Sequence, residues 1–239
     1  MLNNIAIFGA SGSIGRALID LIAITESNAT IHAYSREQVT FSNNNVISYG
    51  IDYSCEQSIK QAANIAAKLS PLDMVILATG ILHDSEIMPE KSIRDLSAKK
   101  LQHLFYVNTI IPTIIGKHFI PQLDKDNRSI FAALSARVGS ISDNRLGGWY
   151  AYRASKAALN MIIKNTAIEA TRRNKESIIV GLHPGTVDSD LSKPFQKNVP
   201  KGKLFSPAYS AKMLLRVLGQ LNPEDSGKCF AWDGKEIEP

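Results

Sequence analysis

Short apolar runs alternate with longer amphipathic stretches along this chain, and that rhythm predicts a fold class before any single residue is weighed. Strands are predicted at Asn4–Phe8, Thr30–Tyr34, Val46–Gly50, Met74–Ala78, Ser129–Leu134 and Ile178–His183, each apolar or β-branched and bounded by turn residues. Helical patterns fall between them at Ile14–Ile24, Cys55–Leu69, Ala98–Gln122 and Tyr150–Arg173. The run Met74-Val75-Ile76-Leu77-Ala78 has no polar position, as a strand covered on both faces requires. Strands and helices taking turns in this way predict an α/β fold: a Rossmann-like, doubly wound parallel sheet with helices on both faces. A later helix, Pro207–Gln220, precedes a last apolar stretch, Lys228–Trp232, which suits a final edge strand. No repeat or linker interrupts the pattern before Ser192, so residues 1–239 are read as one domain.

The segment Ser192–Ser206 departs from the rhythm, with Pro194, Pro200, Gly202 and four lysines but no clear period. It is read as a long loop, either a lid over a site or an exposed insertion. Composition adds only exclusions. With 44% hydrophobic and 21% charged residues the chain is of ordinary globular type. Cys55 and Cys229 stand far apart without metal-ligand spacing, so neither a disulfide framework nor a metal site is expected. The formal charge is +5, but the 27 lysines and arginines are scattered and no aromatic residues interleave them, so nucleic acid is not an expected partner. No stretch approaches the ~18 to 20 uninterrupted apolar residues of a membrane span, and no signal-type segment opens the chain, so a cytoplasmic protein without a membrane partner is expected.

Two constellations carry chemistry. The first strand runs through Gly9-Ala10-Ser11-Gly12-Ser13-Ile14-Gly15 directly into a helix. Glycines there let the backbone approach a pyrophosphate, and the helix start supplies free N–H groups and a positive dipole end; the plainer reading is a tight strand-to-helix turn. At the end of the second strand, where an acid would select a free ribose 2′-hydroxyl, the chain has Tyr34-Ser35-Arg36. Arginine pairs with phosphate, which favours NADP over NAD, the plainer reading of Arg36 being a surface charge. Asp52 is a candidate acceptor for an adenine amino group, or else a helix cap. The second constellation is Tyr152-Arg153-Ala154-Ser155-Lys156, whose i to i+4 spacing stacks a phenol and an ammonium on one helix face. A nearby cation is expected to lower the tyrosine pKa from about 10 toward the range of an acid/base catalyst.

Taken together with Ala78-Thr79-Gly80, Asn108 and Pro184-Gly185-Thr186-Val187, these residues make the chain resemble the short-chain dehydrogenase/reductases over essentially its full length. Within that family Ser135-Ala136-Arg137-Val138-Gly139-Ser140-Ile141, Gly147-Gly148-Trp149-Tyr150 and Phe230-Ala231-Trp232-Asp233-Gly234-Lys235 make it most similar to the C-factor and sniffer-like carbonyl reductases. The resemblance implies that Tyr152 protonates a substrate carbonyl as hydride arrives from nicotinamide. Lys156 would hold the nicotinamide ribose, and Asn108 would anchor a relay water. Pro184–Val187 would bind the nicotinamide end; Gly9, Ser11, Gly12, Ser13, Ile14 and Gly15, with Ser35, Arg36, Asp52, Tyr53, Ala78, Thr79 and Gly80, would hold the rest of the dinucleotide. His183, just before that segment, is read as a packed strand-end residue. The resemblance also places the substrate-binding loop at 192–206, and it implies a homodimer or homotetramer through the helix bearing Ala157, Ala158, Met161, Ile162 and Ala167. A second reading stays open beside the reductase: a dinucleotide-binding signalling or sensor protein of the C-factor kind, with weak or no turnover.

Two departures from the family pattern matter. The glycine turn reads G-x-x-G-x-x-G rather than G-x-x-x-G-x-G, with Ser13 at the middle glycine position. The catalytic serine position falls on Ala136 when counted from the preceding strand, and on Gly139 when counted back from Tyr152. Ser135 is the preferred replacement hydroxyl and Ser140 the next.

Overall fold

The computed structural model describes residues 2–239. Its centre is a seven-stranded parallel sheet in the order β3-β2-β1-β4-β5-β6-β9. The strands are β1 (Asn4–Phe8), β2 (Thr30–Ser35), β3 (Val46–Gly50), β4 (Met74–Leu77), β5 (Ser129–Leu134), β6 (Ser177–His183) and β9 (Cys229–Ala231). Each predicted strand is present within a residue or two, and Cys229–Ala231 forms the expected edge. The apolar strands are buried on both faces because successive side chains alternate: Ile5 and Ile7 enter one core, Ala6 and Phe8 the other. Helices α1 (Ser13–Thr25) and α6 (Pro207–Gln220) cover the first face, and α2 (Glu56–Ala66), α4 (Ile111–Phe119) and α5 (Tyr150–Thr171) the second. Each Ile or Phe so enclosed contributes about 1.5 to 3 kcal/mol of transfer free energy.

The strand order reverses between β1 and β4, so the crevice beyond their carboxyl ends is where such a sheet offers a ligand site. There Gly9 has φ +80, and a Cβ on it would stand 2.8 Å from the Ala78 carbonyl group. Only a glycine lets the two strand ends approach so closely.

Two predicted segments differ in detail. The pattern over Ala98–Gln122 contains α3 (Ala98–Phe105), a π-helical turn at Tyr106–Ile110, α4 and a closing 3-10 turn at Ile120–Gln122. Periodicity does not register the π turn, which inserts one residue without changing the apolar composition. Ser192–Ser206 is not structureless. It holds a 3-10 helix at Lys193–Asn198, with Pro194 in its first turn, and a short strand β8 (Leu204–Phe205) paired in parallel with β7 (Thr186–Val187). Two-residue strands and 3-10 turns are too short to leave a period in sequence. Among the described residues no helix is long and apolar enough to cross a membrane.

Candidate active site

A groove of about 1020 Å³ runs along the carboxyl ends of the strands, with Gly9, Ser11, Gly12, Arg36, Asp52, Tyr53, Thr79 and Gly80 among its walls. It meets a cleft of about 220 Å³ lined by Ala136, Trp149, Tyr152, Lys156, His183, Pro184–Val187 and Phe195. Most residues predicted from sequence for a dinucleotide are thus brought together, although they come from five separate strand ends.

Two of them lie off the groove walls, and a third, Ser35, lines the groove with its hydroxyl turned elsewhere. Gly15 is buried, and a Cβ there would stand 2.1 Å from the Gly9 carbonyl oxygen, so its service is to let α1 abut the turn. Ser13 opens α1 and lies on neither wall. Ser35 is 1% exposed and its hydroxyl donates to the Glu37 carbonyl, leaving Arg36 as the exposed polar side chain at the end of β2. Arg16, on the first turn of α1, donates to the Thr40 carbonyl at 3.2 Å and lies over the Phe41 ring. Asp52 accepts from the Ser54 amide and hydroxyl, which holds its carboxyl below the usual range. It therefore shapes the turn before α2 rather than capping the helix, whose cap position is Cys55.

Buried polar atoms bear on the fit of a dinucleotide to this groove. The Thr79 hydroxyl and the Tyr53 phenol both lie buried on the groove wall without a protein partner. Buried polar groups are nearly always hydrogen-bonded, so two orphans in one groove point to a polar ligand. The open backbone at Gly9 and Gly12, before the first N–H groups of α1, suits a pyrophosphate.

At the cleft end, Tyr152 and Lys156 lie one turn apart on the buried face of α5, with the ammonium 6.0 Å from the ring centroid. Lys156 Nζ donates to the Leu134 carbonyl at 2.7 Å. Asn108, in the π turn, is fully buried: its Oδ1 accepts from the Ile81 amide, and its Nδ2 donates to the Ile81 carbonyl and to Ser155 Oγ. Its amide thus ties the Gly80–Ile81 backbone to α5 and has no free hydrogen aimed at the cleft. Burial pushes the Tyr152 phenol up to about 12 and the Lys156 ammonium down to about 8. Desolvation by burial is the cause of the upward direction for Tyr152, opposite to the lowering expected of a nearby cation.

The serines separate cleanly. Beyond β5 the backbone stays extended, so Ser135 and Ala136 point to opposite sides. Both residues are on the cleft wall, but Ser135 Oγ donates to Asn160 Oδ1 at 2.6 Å, while Ala136 has no hydroxyl to offer. Ser140 is 2% exposed, accepts from the Asp143 amide, faces Ser142 Oγ and lies off the cleft wall. Its turn is closed by its own polar groups, which is why it does not swing toward the cleft.

Sequence reasoning missed the aromatic wall. Trp149 stacks edge-to-face on Tyr152, with ring centroids 6.2 Å apart, and packs on Phe195 at 5.0 Å. Phe195 meets His83 on its other side, and His83 Nε2 lies 3.1 Å from the Asp190 and Leu191 carbonyls. A Gly-Gly-Trp sequence before a helix was the available signal. His183 ends β6 as expected but also lines the cleft, and its buried Nδ1 has no protein partner.

A glycine turn in the β1–β4 crevice, leading to a buried tyrosine and lysine on one helix, defines an oxidoreductase domain built for a nicotinamide dinucleotide. Residues 3–200 match the model of the short chain dehydrogenase family, and the chain belongs to that family. The C-signal protein of Myxococcus xanthus is 33% identical over 146 residues, 61% of this chain and 82% of that protein. An oxidoreductase of Schizosaccharomyces pombe is 27% identical over 250 residues, covering 97% of this chain and 96% of its own. Among solved structures, the carbonyl reductase Sniffer of D. melanogaster aligns over 100% of both chains with a TM-score of 0.86 at 20% identity. The NADPH-bound carbonyl reductase from chicken fatty liver aligns over 100% of this chain and 99% of its own, with a TM-score of 0.82 at 23% identity. At such identities the two structures speak for the fold.

Proposed function

We propose that the protein, as one domain over residues 1–239, is an NADP(H)-dependent oxidoreductase acting on a small carbonyl compound or the corresponding alcohol. The observation that carries this reading is the pairing of Tyr152 and Lys156 on one buried face of α5, where the dinucleotide groove opens into the cleft. When bound, the nicotinamide supplies or takes up hydride. Tyr152 gives its phenolic proton to the carbonyl oxygen as negative charge develops there. The phenol is protonated at neutral pH, the form from which a proton is given in reduction. Lys156, which donates to the Leu134 carbonyl, would hold a ribose hydroxyl, and Asn108 keeps the Gly80–Ile81 backbone in register with α5. Arg36, on the groove wall, would hold the 2′-phosphate, and Pro184–Val187, on the cleft wall, would hold the nicotinamide end.

Residues 192–206 serve as the lid, with Phe195 closing on Trp149. The apolar lining of Leu82, Ala136, Val138, Trp149 and Phe195 favours a substrate with an apolar body. A homodimer or homotetramer is proposed through the outer face of α5. Ala167 is buried against the chain's own core and does not belong to that face, but Met161 is 61% and Ile168 50% exposed. A groove lined by Thr113, Gly116, Ile120, Ile162 and Thr166 runs beside them.

The test is NADPH consumption against ketones, aldehydes and quinones, run beside a binding titration. Turnover of any member supports the proposal. Tight binding without turnover overturns it in favour of a sensor, the reading that the methyl group of Ala136 at the cleft wall favours; absence of binding overturns both.

A further inference from the structure

Helix α5 begins without a cap of its own: the residue at its N-terminus, Trp149, makes no side-chain bond to the first turn. Trp149 is also the one non-glycine residue with positive φ among the described residues, at φ 52, following Gly147 at φ 61 and Gly148 at φ 64. A left-handed conformation in a bulky residue costs of order 1 to 3 kcal/mol and persists only where its surroundings impose it. The turn is held on one side by Arg153, whose Nε donates to the Gly147 and Gly148 carbonyls, and on the other by Glu90, from the connection between β4 and α3.

Glu90 is 2% exposed. Its main-chain carbonyl accepts the Trp149 amide at 2.6 Å, and its carboxylate Oε2 accepts the Ala151 amide at 3.3 Å. A Cβ at Gly148 would lie 3.3 Å from the same Glu90 carbonyl oxygen, so the glycine is part of the fit. A buried carboxylate needs partners, and here it finds one in the free N–H groups and positive dipole of a helix start. The two bonds fall on the amides of Trp149 and Ala151, the second one residue before Tyr152.

We propose that Glu90 is a positioning residue for the reaction and Trp149 a specificity-determining one. Glu90 clamps the entry to α5 so that Trp149 stays left-handed. The indole is thereby held edge-on to Tyr152 and against Phe195, where it forms the wall along which an apolar substrate body lies. This rests on the catalytic reading of Tyr152, and its test is chosen to fail separately from that reading.

The chain has 2 tryptophans, so in a Trp232→Phe background the emission comes from Trp149 alone. Glu90→Ala keeps the main-chain bond to Trp149 but removes the carboxylate bond to the Ala151 amide, and loss of that half of the clamp is expected to shift the emission to the red and to lower kcat by about ten- to a hundredfold, the scale of an ångström-sized misplacement. Dinucleotide Kd should stay within about twofold, because the bonds that Glu90 makes lie outside the groove. Glu90→Gln keeps an acceptor oxygen and is expected to restore both emission and kcat. Unmoved emission in Glu90→Ala, or Glu90→Gln as impaired as Glu90→Ala, overturns the clamp. Should Glu90→Ala not fold, Trp149→Gly decides: it relaxes the left-handed backbone and removes the wall, and a KM unchanged for an apolar substrate overturns the proposal. A wild-type protein with no turnover defeats the catalytic reading alone, since the emission shift still reports whether Glu90 holds the indole.

Discussion

The two ends of the cleft are built from different materials. At the dinucleotide end the working surface is largely backbone: Gly9 and Gly12, the first N–H groups of α1, and the carbonyl-to-glycine contact at Ala78. Of its side chains, Ser35 and Asp52 are tied into their own turns, and the buried Thr79 hydroxyl and Tyr53 phenol have no protein partner. At the catalytic end the surface is side chains brought from distant segments: Tyr152 and Lys156 from α5, Phe195 from the 3-10 turn, and Ala136 from beyond β5. The first end tolerates solvent because peptide groups are polar by nature. The second works by excluding it, and burial pushes the Tyr152 phenol up and the Lys156 ammonium down. Binding and chemistry are therefore expected to separate under mutation.

The largest expected effect is on that separation. Tyr152→Phe removes the acid and keeps the ring, so kcat should fall by ~10² to 10⁴ while NADPH affinity, read by titration, stays nearly unchanged. Retention of more than about a tenth of activity would place the acid elsewhere.

Next comes acid lability. Burial pushes His32 and His183 down to about 4, so in the folded protein each resists the proton that the unfolded chain accepts near 6.5. Their contribution is fully present above pH 6.5 and is lost as pH falls toward 4, by about 3 kcal/mol for each group. Denaturant unfolding at pH 7 and pH 5 checks this, and His32→Gln should flatten the difference; equal slopes in wild type and variant would refute it.

The dinucleotide end should yield a smaller, selective effect. Arg36→Ala is expected to weaken NADPH by about tenfold, the scale of one charge-assisted contact, and to leave NADH nearly untouched. Equal losses for both would mean that the arginine does not meet the 2′-phosphate.

The smallest effects belong to the serines. Removing a donor that stabilises a developing oxyanion costs ~10² to 10³ in kcat. Ser135→Ala and Ser140→Ala should each lose less than about threefold, far below that range, because one hydroxyl is bound to Asn160 and the other to its own turn. A loss of tenfold or more from either, on the same scale, would put that hydroxyl on the substrate.

Much of this was legible in the residues alone. The strands, the helices and their alternation follow from side-chain periodicity, which is local. The glycine turn follows from steric permission, also local, and Tyr152 with Lys156 from helical spacing. What periodicity could not show were short or interrupted elements, the π turn at Tyr106–Ile110 and the 3-10 turn at Lys193–Asn198. Nor could it show direction. Counting residues left Ser135 and Ser140 as rivals for one position, and only the extended backbone after β5 turned Ser135 toward Asn160 and Ala136 toward the cleft.

The amino-acid sequence by itself determined the class of fold, the family and the identity of the paired tyrosine and lysine, because each is written within a few turns of chain. Only the tertiary structure decided which partners those residues keep. Glu90 reaches the start of α5 from 61 positions away, and Phe195 reaches Trp149 from the far side of β6. Such meetings carry no local signature, since the energy that selects them arises only when separate segments exclude water together.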